Sequence, residues 1–414
     1  MHRVFTIKIL LLVGMGGLIT ANEAAWSRLT PLAQSPDWAV LEKYQETITR
    51  EDFVHLLESV YAPGGASTAT IQVGDQQAVI ATRKGKPPFV LRFATDANSR
   101  KPVSTTWKSR DALPPPPAGK PLHGLKIALD PGHIGGSWAR LEERWFRLGK
   151  SKPVTEGDMT LLVARKLAKK LEALGAKVFL TRTKAAPVTS ARPERLKEAA
   201  RASLQDRGQR ATSHALASES ARLFYRVSEI HRRARLVNES LRPDLTLCLH
   251  FNAEEWGNES HPKLVDENHL HFLVTGAWSA DELTYEDQRF DMLHKLLSRT
   301  IGEEMRVTEA VARTMAKATG LPPYTYKQNN AVKVGSNPYI WGRNLLANRL
   351  FLCPVVYIEP YVMNSREGFA RIQAGDYKGT KKIGGVPRRS IFEEYADSVA
   401  SGLADYYGRR SRSE

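Results

Sequence analysis

The sequence predicts an α/β protein with a mostly parallel, twisted sheet flanked by helices, preceded by a small N-terminal α+β module. Short apolar segments at 126–129, 177–181, 245–249 and 355–358 have the length and composition of buried strands. The segment 159–174 has apolar residues at helical spacing and connects the first two of these strands. A strand, a helix and a second strand in this order form the βαβ unit of a parallel sheet.

The residues before the sheet divide into three segments. Basic residues, a short apolar stretch and small residues predict a signal peptide at 1–25, with an uncleaved membrane anchor as the alternative. Residues 26–113 contain two predicted helices and three short strands, and they form a small α+β module of unknown role. The proline-rich segment 114–121 predicts a stiff linker.

The remaining domain, 122–407, contains one long connection. Residues 183–228 are rich in Arg, Ala, Ser and Glu, and the segment is longer than an ordinary connection in an α/β protein. We predict a helical insertion beside the sheet there, and we expect it to restrict access to a site at the sheet edge. A last amphipathic helix at 391–407 precedes a basic tail, 408–414.

Composition and charge limit the partners of the chain. The net charge of +16 and the pI near 9.7 predict attraction to polyanions. Together with the export signal, they favour an anionic envelope surface and no nucleic acid, with a periplasmic or cell-wall location. Cys248 and Cys353 are too few for a disulfide framework. We expect two buried thiols, bridged only if their strands are neighbours.

Two imidazoles and two carboxylates lie where predicted elements begin or end. His133 follows the first strand in the segment LDPGHIGG, His250 follows the third, and Glu359 ends the fourth. Glu156 comes just before the helix 159–174. Because ligands bind beyond the carboxyl ends of parallel strands, these side chains should converge. Two His and one Glu with an open fourth position form a known catalytic zinc shell, and the second Glu could act as a base.

These motifs resemble those of the zinc-dependent N-acetylmuramoyl-L-alanine amidases of the type 3 class. The segments DPGHIGG, Glu156 before a helix ending LGAKVFLTR, LCLHFNA and VVYIEPYVMNS occur in the family's order, and the resemblance covers about 122–407. It implies Zn²⁺ ligands at His133, Glu156 and His250, and a catalytic glutamate at Glu359. The implied activity is hydrolysis of peptidoglycan at the amide between N-acetylmuramic acid and the L-alanine of the stem peptide, by a zinc-activated water.

The sequence departs from the family pattern next to two motifs. Ile134 stands where the family usually has Gly, and Pro360-Tyr361 stands where it has a Gly-Phe pair. These changes affect the loop shape and the fit of the substrate without removing a ligand.

Two other functions stay open at this point. One is a zinc hydrolase of a different amide, and the other is a catalytically silent or regulatory cell-wall-binding protein of the same fold. The presence of all three ligands and the base argues against silence. If the insertion covers the site, an activator protein would be a further partner.

Three further groups of polar residues are predicted to have ordinary structural or surface roles, with one alternative. His269 and His271 alternate onto one strand face, and we predict structural or rim positions for both. Glu142 and Glu143 are predicted to be surface charges. Arg343 could bind a peptide carboxylate or form an ordinary salt bridge.

Overall fold

The computed structural model describes residues 28–409, apart from positions 260 and 329. The predicted signal peptide, 1–25, and most of the predicted basic tail lie outside the described residues. Among the residues described, no helix has the combination of length and apolar character needed to cross a membrane.

Short strands alternate with helices along most of the chain. The strands are β1 (Ile71–Val73), β2 (Gln77–Ile80), β3 (Phe89–Arg92), β4 (Lys126–Pro131), β5 (Trp145–Phe146), β6 (Val154–Thr155), β7 (Lys177–Leu180), β8 (Leu245–Leu249), β9 (Gly257–Asn258), β10 (His261–Pro262), β11 (Leu270–Thr275), β12 (Val332–Lys333), β13 (Ile340–Arg343), β14 (Val355–Pro360), β15 (Thr380–Ile383) and β16 (Val386–Arg389).

The α-helices are α1 (Arg50–Leu56), α2 (Glu156–Ala173), α3 (Lys197–Asp206), α4 (Ser213–Arg222), α5 (Glu229–Arg235), α6 (Glu286–Leu297), α7 (Thr300–Thr319), α8 (Leu346–Leu350), α9 (Arg366–Gln373) and α10 (Ile391–Gly408). Wider π-helical turns continue some of them, at Leu57–Tyr61, Leu223–Ser228 and Leu236–Leu241. Short 3₁₀ turns lie at Trp38–Tyr44, Pro63–Gly65, Arg110–Ala112, Gly136–Trp138, Pro193–Arg195 and Glu282–Thr284.

A seven-stranded sheet forms the centre of the molecule, with strand order β12-β13-β11-β14-β8-β4-β7. Its strand pairs are parallel except at β11–β14 and β12–β13, where they are antiparallel. The sheet is therefore mixed and mostly parallel, and the predicted α/β class is confirmed.

Helices cover both faces of this sheet, as the apolar strands require. Ile127 and Leu129 point to the face packed against α2, α7 and α10, where Leu167, Val311 and Leu403 belong to the same buried cluster. Ala128 and Cys248 point to the other face, against α5 and α8. Both cysteines are buried free thiols, as predicted.

The N-terminal residues pack against the central sheet through a shared core. Strands β1 to β3 form an antiparallel sheet, and α1 lies against it. Phe53 and Leu91 from this unit share one buried apolar cluster with Trp278 and Leu293 from the larger unit.

Candidate metal centre and active site

The register of three parallel strands brings the predicted site residues to one edge of the sheet. Pro131 on β4 lies opposite Leu249 on β8, so the residues that follow these strands are neighbours. Ile358 on β14 also lies opposite Leu249, which places Glu359 beside the same edge. The convergence that the strand ends predicted is therefore present.

Gly132 is required for this convergence. A Cβ atom at Gly132 would lie 2.2 Å from Cε1 of His250, which is closer than any side chain permits. The absence of a side chain in the DPGH turn thus makes room for the imidazole of His250.

A second close contact fixes the start of α2, where Glu156 is the first residue. A Cβ atom at Gly157 would lie 2.4 Å from the backbone nitrogen of Gly135, so the turn after His133 packs directly on the helix start. Thr160, one turn along α2, donates a hydrogen bond from Oγ1 to the carbonyl of Gly132 at 2.7 Å. These contacts hold Glu156 against the two histidines.

His133, Glu156 and His250 form a compact group of three ligand atoms. One nitrogen or oxygen from each side chain lies within 4.8 Å of the others. His133 Nε2 is 3.1 Å from Glu156 Oε2, and His250 Nδ1 is 3.0 Å from Glu156 Oε1. Across the described part of the chain, no other His, Cys, Asp or Glu group has this geometry. Two imidazoles and one carboxylate fit the donor set of a catalytic zinc site, so the residues present are suited to a divalent metal.

The charges of this group are strongly coupled. Burial lowers the pKa of His133, but the carboxylates of Glu156 and Glu142 outweigh burial and raise this pKa to about 9. Burial raises the pKa of Glu156, but the two imidazoles outweigh it and bring that pKa well below its usual range. The carboxylate of Glu156 is therefore ionised, as a metal ligand must be.

Glu359 has the opposite tendency. Burial and the negative charge of Glu156 raise the pKa of Glu359 to about 8. Its side chain is partly exposed and lines a cleft of about 660 Å³ that the three ligand residues also line. A carboxyl group with a pKa near neutrality can both accept and return a proton.

A buried carboxylate, Glu142, supports His133. Glu142 is 2% exposed, so the prediction of a surface charge was wrong for this residue. Its Oε2 accepts hydrogen bonds from the backbone N–H groups of Ile134 and Gly135 at 2.9 and 3.0 Å, and its Oε1 lies 3.7 Å from Nδ1 of His133. Glu143 is exposed, as predicted. No spacing in the sequence distinguishes these two glutamates. They differ because the loop after His133 folds back and places the carboxylate of Glu142 on the N–H groups of Ile134 and Gly135.

Three arginines complete the surroundings of the ligands. Arg233 donates to the carbonyl of His133 at 2.7 Å and also pairs with Asp130 and Glu229. Arg182 donates to the carbonyls of the same turn at Pro131 and Gly132. Arg144 Nε lies 3.3 Å from Oε2 of Glu156. Two buried guanidinium groups, those of Arg182 and Arg233, thus bind the carbonyls of the turn that presents His133.

The other histidines stand apart from the ligand group. Nε2 of His269 is 3.1 Å from Oε1 of Glu254, and His271 Nε2 is 3.0 Å from the hydroxyl of Tyr326. These are the structural and rim positions expected for both. The predicted helical segment 183–228 contains α3 and α4, and its residues Tyr225 and Arg226 line the cleft. The expectation that this segment restricts access stays a prediction.

Both departures from the family pattern are accommodated locally. Ile134 is fully buried. Tyr361 has a φ of +57°, a left-handed conformation that favours glycine, and its buried hydroxyl donates to Glu394 at 2.8 Å. Neither residue displaces a ligand.

A mixed sheet flanked by helices, with a His-Glu-His group and a carboxyl group at one edge, defines an α/β protein with a candidate metal site. The comparison with protein families makes the class specific. Residues 127–384 match the model of the N-acetylmuramoyl-L-alanine amidase family. This match covers more than half of the chain, and the chain belongs to that family. Its activity is accordingly that of a peptidoglycan amidase.

Solved structures of amidases are among those similar to this chain. Ami1 from Mycobacterium smegmatis is 15% identical, with coverage of 70% of this chain and 99% of that one and a TM-score of 0.38. Apo Ami1 from Mycobacterium abscessus is 16% identical, with coverage of 69% of this chain and 99% of that one and a TM-score of 0.40. The CwlD amidase from Clostridioides difficile was solved in complex with the GerS lipoprotein. It is 15% identical, with coverage of 68% of this chain and 98% of that one and a TM-score of 0.38. No curated protein matches the chain.

Proposed function

We propose that this amidase uses a zinc ion held by His133, Glu156 and His250, and that Glu359 is its catalytic acid and base. The observation that supports this proposal is the approach of the three ligand atoms to within 4.8 Å, in a cleft that Glu359 also lines. The substrate is the amide between N-acetylmuramic acid and the L-alanine of the stem peptide.

Zinc bound at this group would polarise the scissile carbonyl and favour ionisation of water. In the reaction, Glu359 accepts a proton from the attacking water and returns it to the leaving nitrogen as the C–N bond breaks. The products are the free lactyl carboxylate and a stem peptide with a free amino terminus. Glu142 and Arg233 keep the turn of His133 in place throughout.

The same proposal assigns a role to each segment of the chain. Residues 122–407 form the catalytic unit, 114–121 connect it to the N-terminal module, and 26–113 dock against it. We propose that the chain is exported by the signal at 1–25 to a periplasmic or cell-wall location, where its substrate lies. The helical insertion at 183–228 offers a surface on which an activator protein could bind and widen the cleft.

The test is digestion of purified peptidoglycan by the mature chain and by Glu359→Ala, with the zinc content of each protein measured. We expect the unmodified chain to release stem peptides from intact glycan strands, identified by mass. Glu359→Ala should keep its zinc and lose about 10²-fold to 10⁴-fold in rate, the usual contribution of acid–base catalysis.

Glu255→Ala is the matched control, since Glu255 is an exposed carboxylate in the same cleft and should be dispensable. Equal activity of Glu359→Ala and the unmodified chain would contradict the assigned role. A zinc-loaded chain that releases no peptide would instead support a silent wall-binding protein or a different amide substrate.

A further inference from the structure

Arg343 lies in the wall of the same cleft and belongs to neither the ligand group nor its supports. It is the last residue of β13, and its side chain is partly buried. Its Nη1 donates a hydrogen bond to the hydroxyl of Tyr326 at 3.4 Å, and its Cζ is 5.5 Å from the centre of that ring. Within the described ranges, no carboxylate lies within the 4.0 Å of an ion pair with this guanidinium. A guanidinium has five N–H donors, and Tyr326 uses one of them.

The group that contacts the guanidinium of Arg343 directly, Tyr326, carries no charge, and the charge of Arg343 lowers the pKa of Glu359 without an ion pair between them. The hydroxyl of Tyr326 is 3.0 Å from Nε2 of His271. Burial raises the pKa of Tyr326 to about 12, and burial together with nearby positive charge lowers the pKa of His271 to about 3. Both side chains are therefore neutral near pH 7. A partly buried guanidinium in such surroundings favours a bound anion, and its planar fork matches a carboxylate.

The strand order gives Arg343 a definite side of the site. Strand β14, which carries Glu359, lies between β8 and β11, and β13 lies beyond β11. His271 is directly opposite Glu359 in the β11–β14 register, and Tyr326 connects His271 to Arg343. Strand β13 and the strands that lead to His133 and His250 are therefore on opposite sides of β14. Arg343 is opposite Thr275, four residues along β11 from His271, and its guanidinium lines the same cleft.

The proposed chemistry determines which half of the substrate lies on that side. Glu359 must reach the leaving nitrogen to protonate it, so the peptide attached to that nitrogen extends past Glu359. The sugar and its lactyl group stay on the side of the ligands. The neighbourhood of Arg343 is therefore the path of the peptide.

We propose that Arg343 is a subsite that binds a carboxylate of the stem peptide, the leaving half of the substrate. This inference rests on the proposed function and adds to it a means of recognising the peptide by its charge. Tyr326 orients the guanidinium through its hydroxyl and its ring, and Trp341, with its ring centre 5.3 Å from that of Tyr326, extends the aromatic surface beside it.

The experiment compares one soluble muropeptide substrate in two forms, with its peptide carboxylates free and with each converted to a carboxamide. The zinc-loaded full chain should cleave the free acid with a kcat/KM about 10-fold to 100-fold higher than the amide, the value of a charged hydrogen bond. Arg343→Ala should lose this preference through a higher KM and should cleave both forms like the amide. The released acidic peptide should also bind more weakly to Arg343→Ala in calorimetry.

Arg366→Ala is the control for the loss of one positive charge, because Arg366 is exposed and pairs with Asp266 on the surface. This variant should retain the preference for the free acid. The comparison of the two substrates on the unmodified chain holds even if Arg343→Ala fails to fold. Equal cleavage of both forms by the unmodified chain, or a preference that survives in Arg343→Ala, would overturn the subsite. Cleavage of neither form would contradict the proposed function instead.

Discussion

His133 has a backbone φ of +60°, which is unfavourable for a residue with a side chain. The surrounding hydrogen bonds explain how it persists. Arg233 bonds its carbonyl, and Glu142 bonds the N–H groups of the next two residues. The same carboxylate lies beside Nδ1 of His133, the nitrogen that does not face Glu156. A partner of this kind fixes the orientation of a metal-binding imidazole.

Glu142→Gln should therefore weaken metal binding without removing a ligand. We expect a loss of about 10-fold to 100-fold in zinc affinity, as for other supporting carboxylates. The measurement is competition for zinc with a chromophoric chelator at fixed pH. Glu143→Gln is the matched control, since the side chain of Glu143 is 70% exposed. Unchanged zinc affinity in Glu142→Gln would show that the turn holds His133 without this carboxylate.

At the scale of elements, a buried carboxylate links the two helices of the insertion. Glu219 on α4 accepts hydrogen bonds from Ser203 on α3 and from Arg222, and it pairs with Arg207 at 2.9 Å. Burial raises the pKa of Glu219, but these partners outweigh it and lower the pKa from 4.5 to about 2. The folded protein thus favours the ionised form more than the unfolded chain does, and ionisation of Glu219 stabilises the fold.

This shift predicts a pH-dependent contribution to stability. The contribution is fully present above pH 4.5 and is lost as the pH falls towards about 2, where the folded form is protonated as well. Glu219→Gln should lower the melting temperature by about 2–4 °C at pH 7, and the difference should shrink below pH 4.5. Thermal unfolding of both proteins from pH 7 to pH 3 measures it. Glu198→Gln, which removes an exposed pair in the same insertion, should have little effect. A constant difference across this pH range would contradict the assignment.

The elements also show what the sequence could predict and what it could not. The ends of β4, β8 and β14 were predictable, because short apolar runs there are followed by His133, His250 and Glu359. The burial of Glu142 was not, because it depends on a loop folding back onto its own N–H groups. The antiparallel direction of β11 was not predictable either, since its apolar pattern is the same in both directions. The placement of His271 beside Glu359 follows from that direction alone.

At the scale of the whole molecule, the N-terminal module and the catalytic unit share buried surface. Phe53 and Leu91 pack in one cluster with Trp278 and Leu293, which are almost completely buried. Arg289 on α6 also donates to the backbone carbonyl of Ala81 at 2.8 Å. The proline-rich segment separates the two units in sequence, but residues of both units form one shared apolar cluster.

Removal of residues 26–113 should consequently destabilise the catalytic unit. Each large apolar side chain that is exposed costs about 1.5–3 kcal/mol, and Trp278, Leu293 and their neighbours in the cluster would be exposed together. Their sum is comparable with the 5–15 kcal/mol that stabilises a typical domain. We expect the truncated chain beginning at 114 to aggregate or to unfold without a cooperative transition, as measured by size-exclusion chromatography and thermal melting. Co-expression of 26–113 as a separate fragment should restore a soluble complex, because the contacts do not require an intact linker. A truncated chain that is monomeric and melts at the temperature of the full chain would contradict the shared core and would make the module an independent domain.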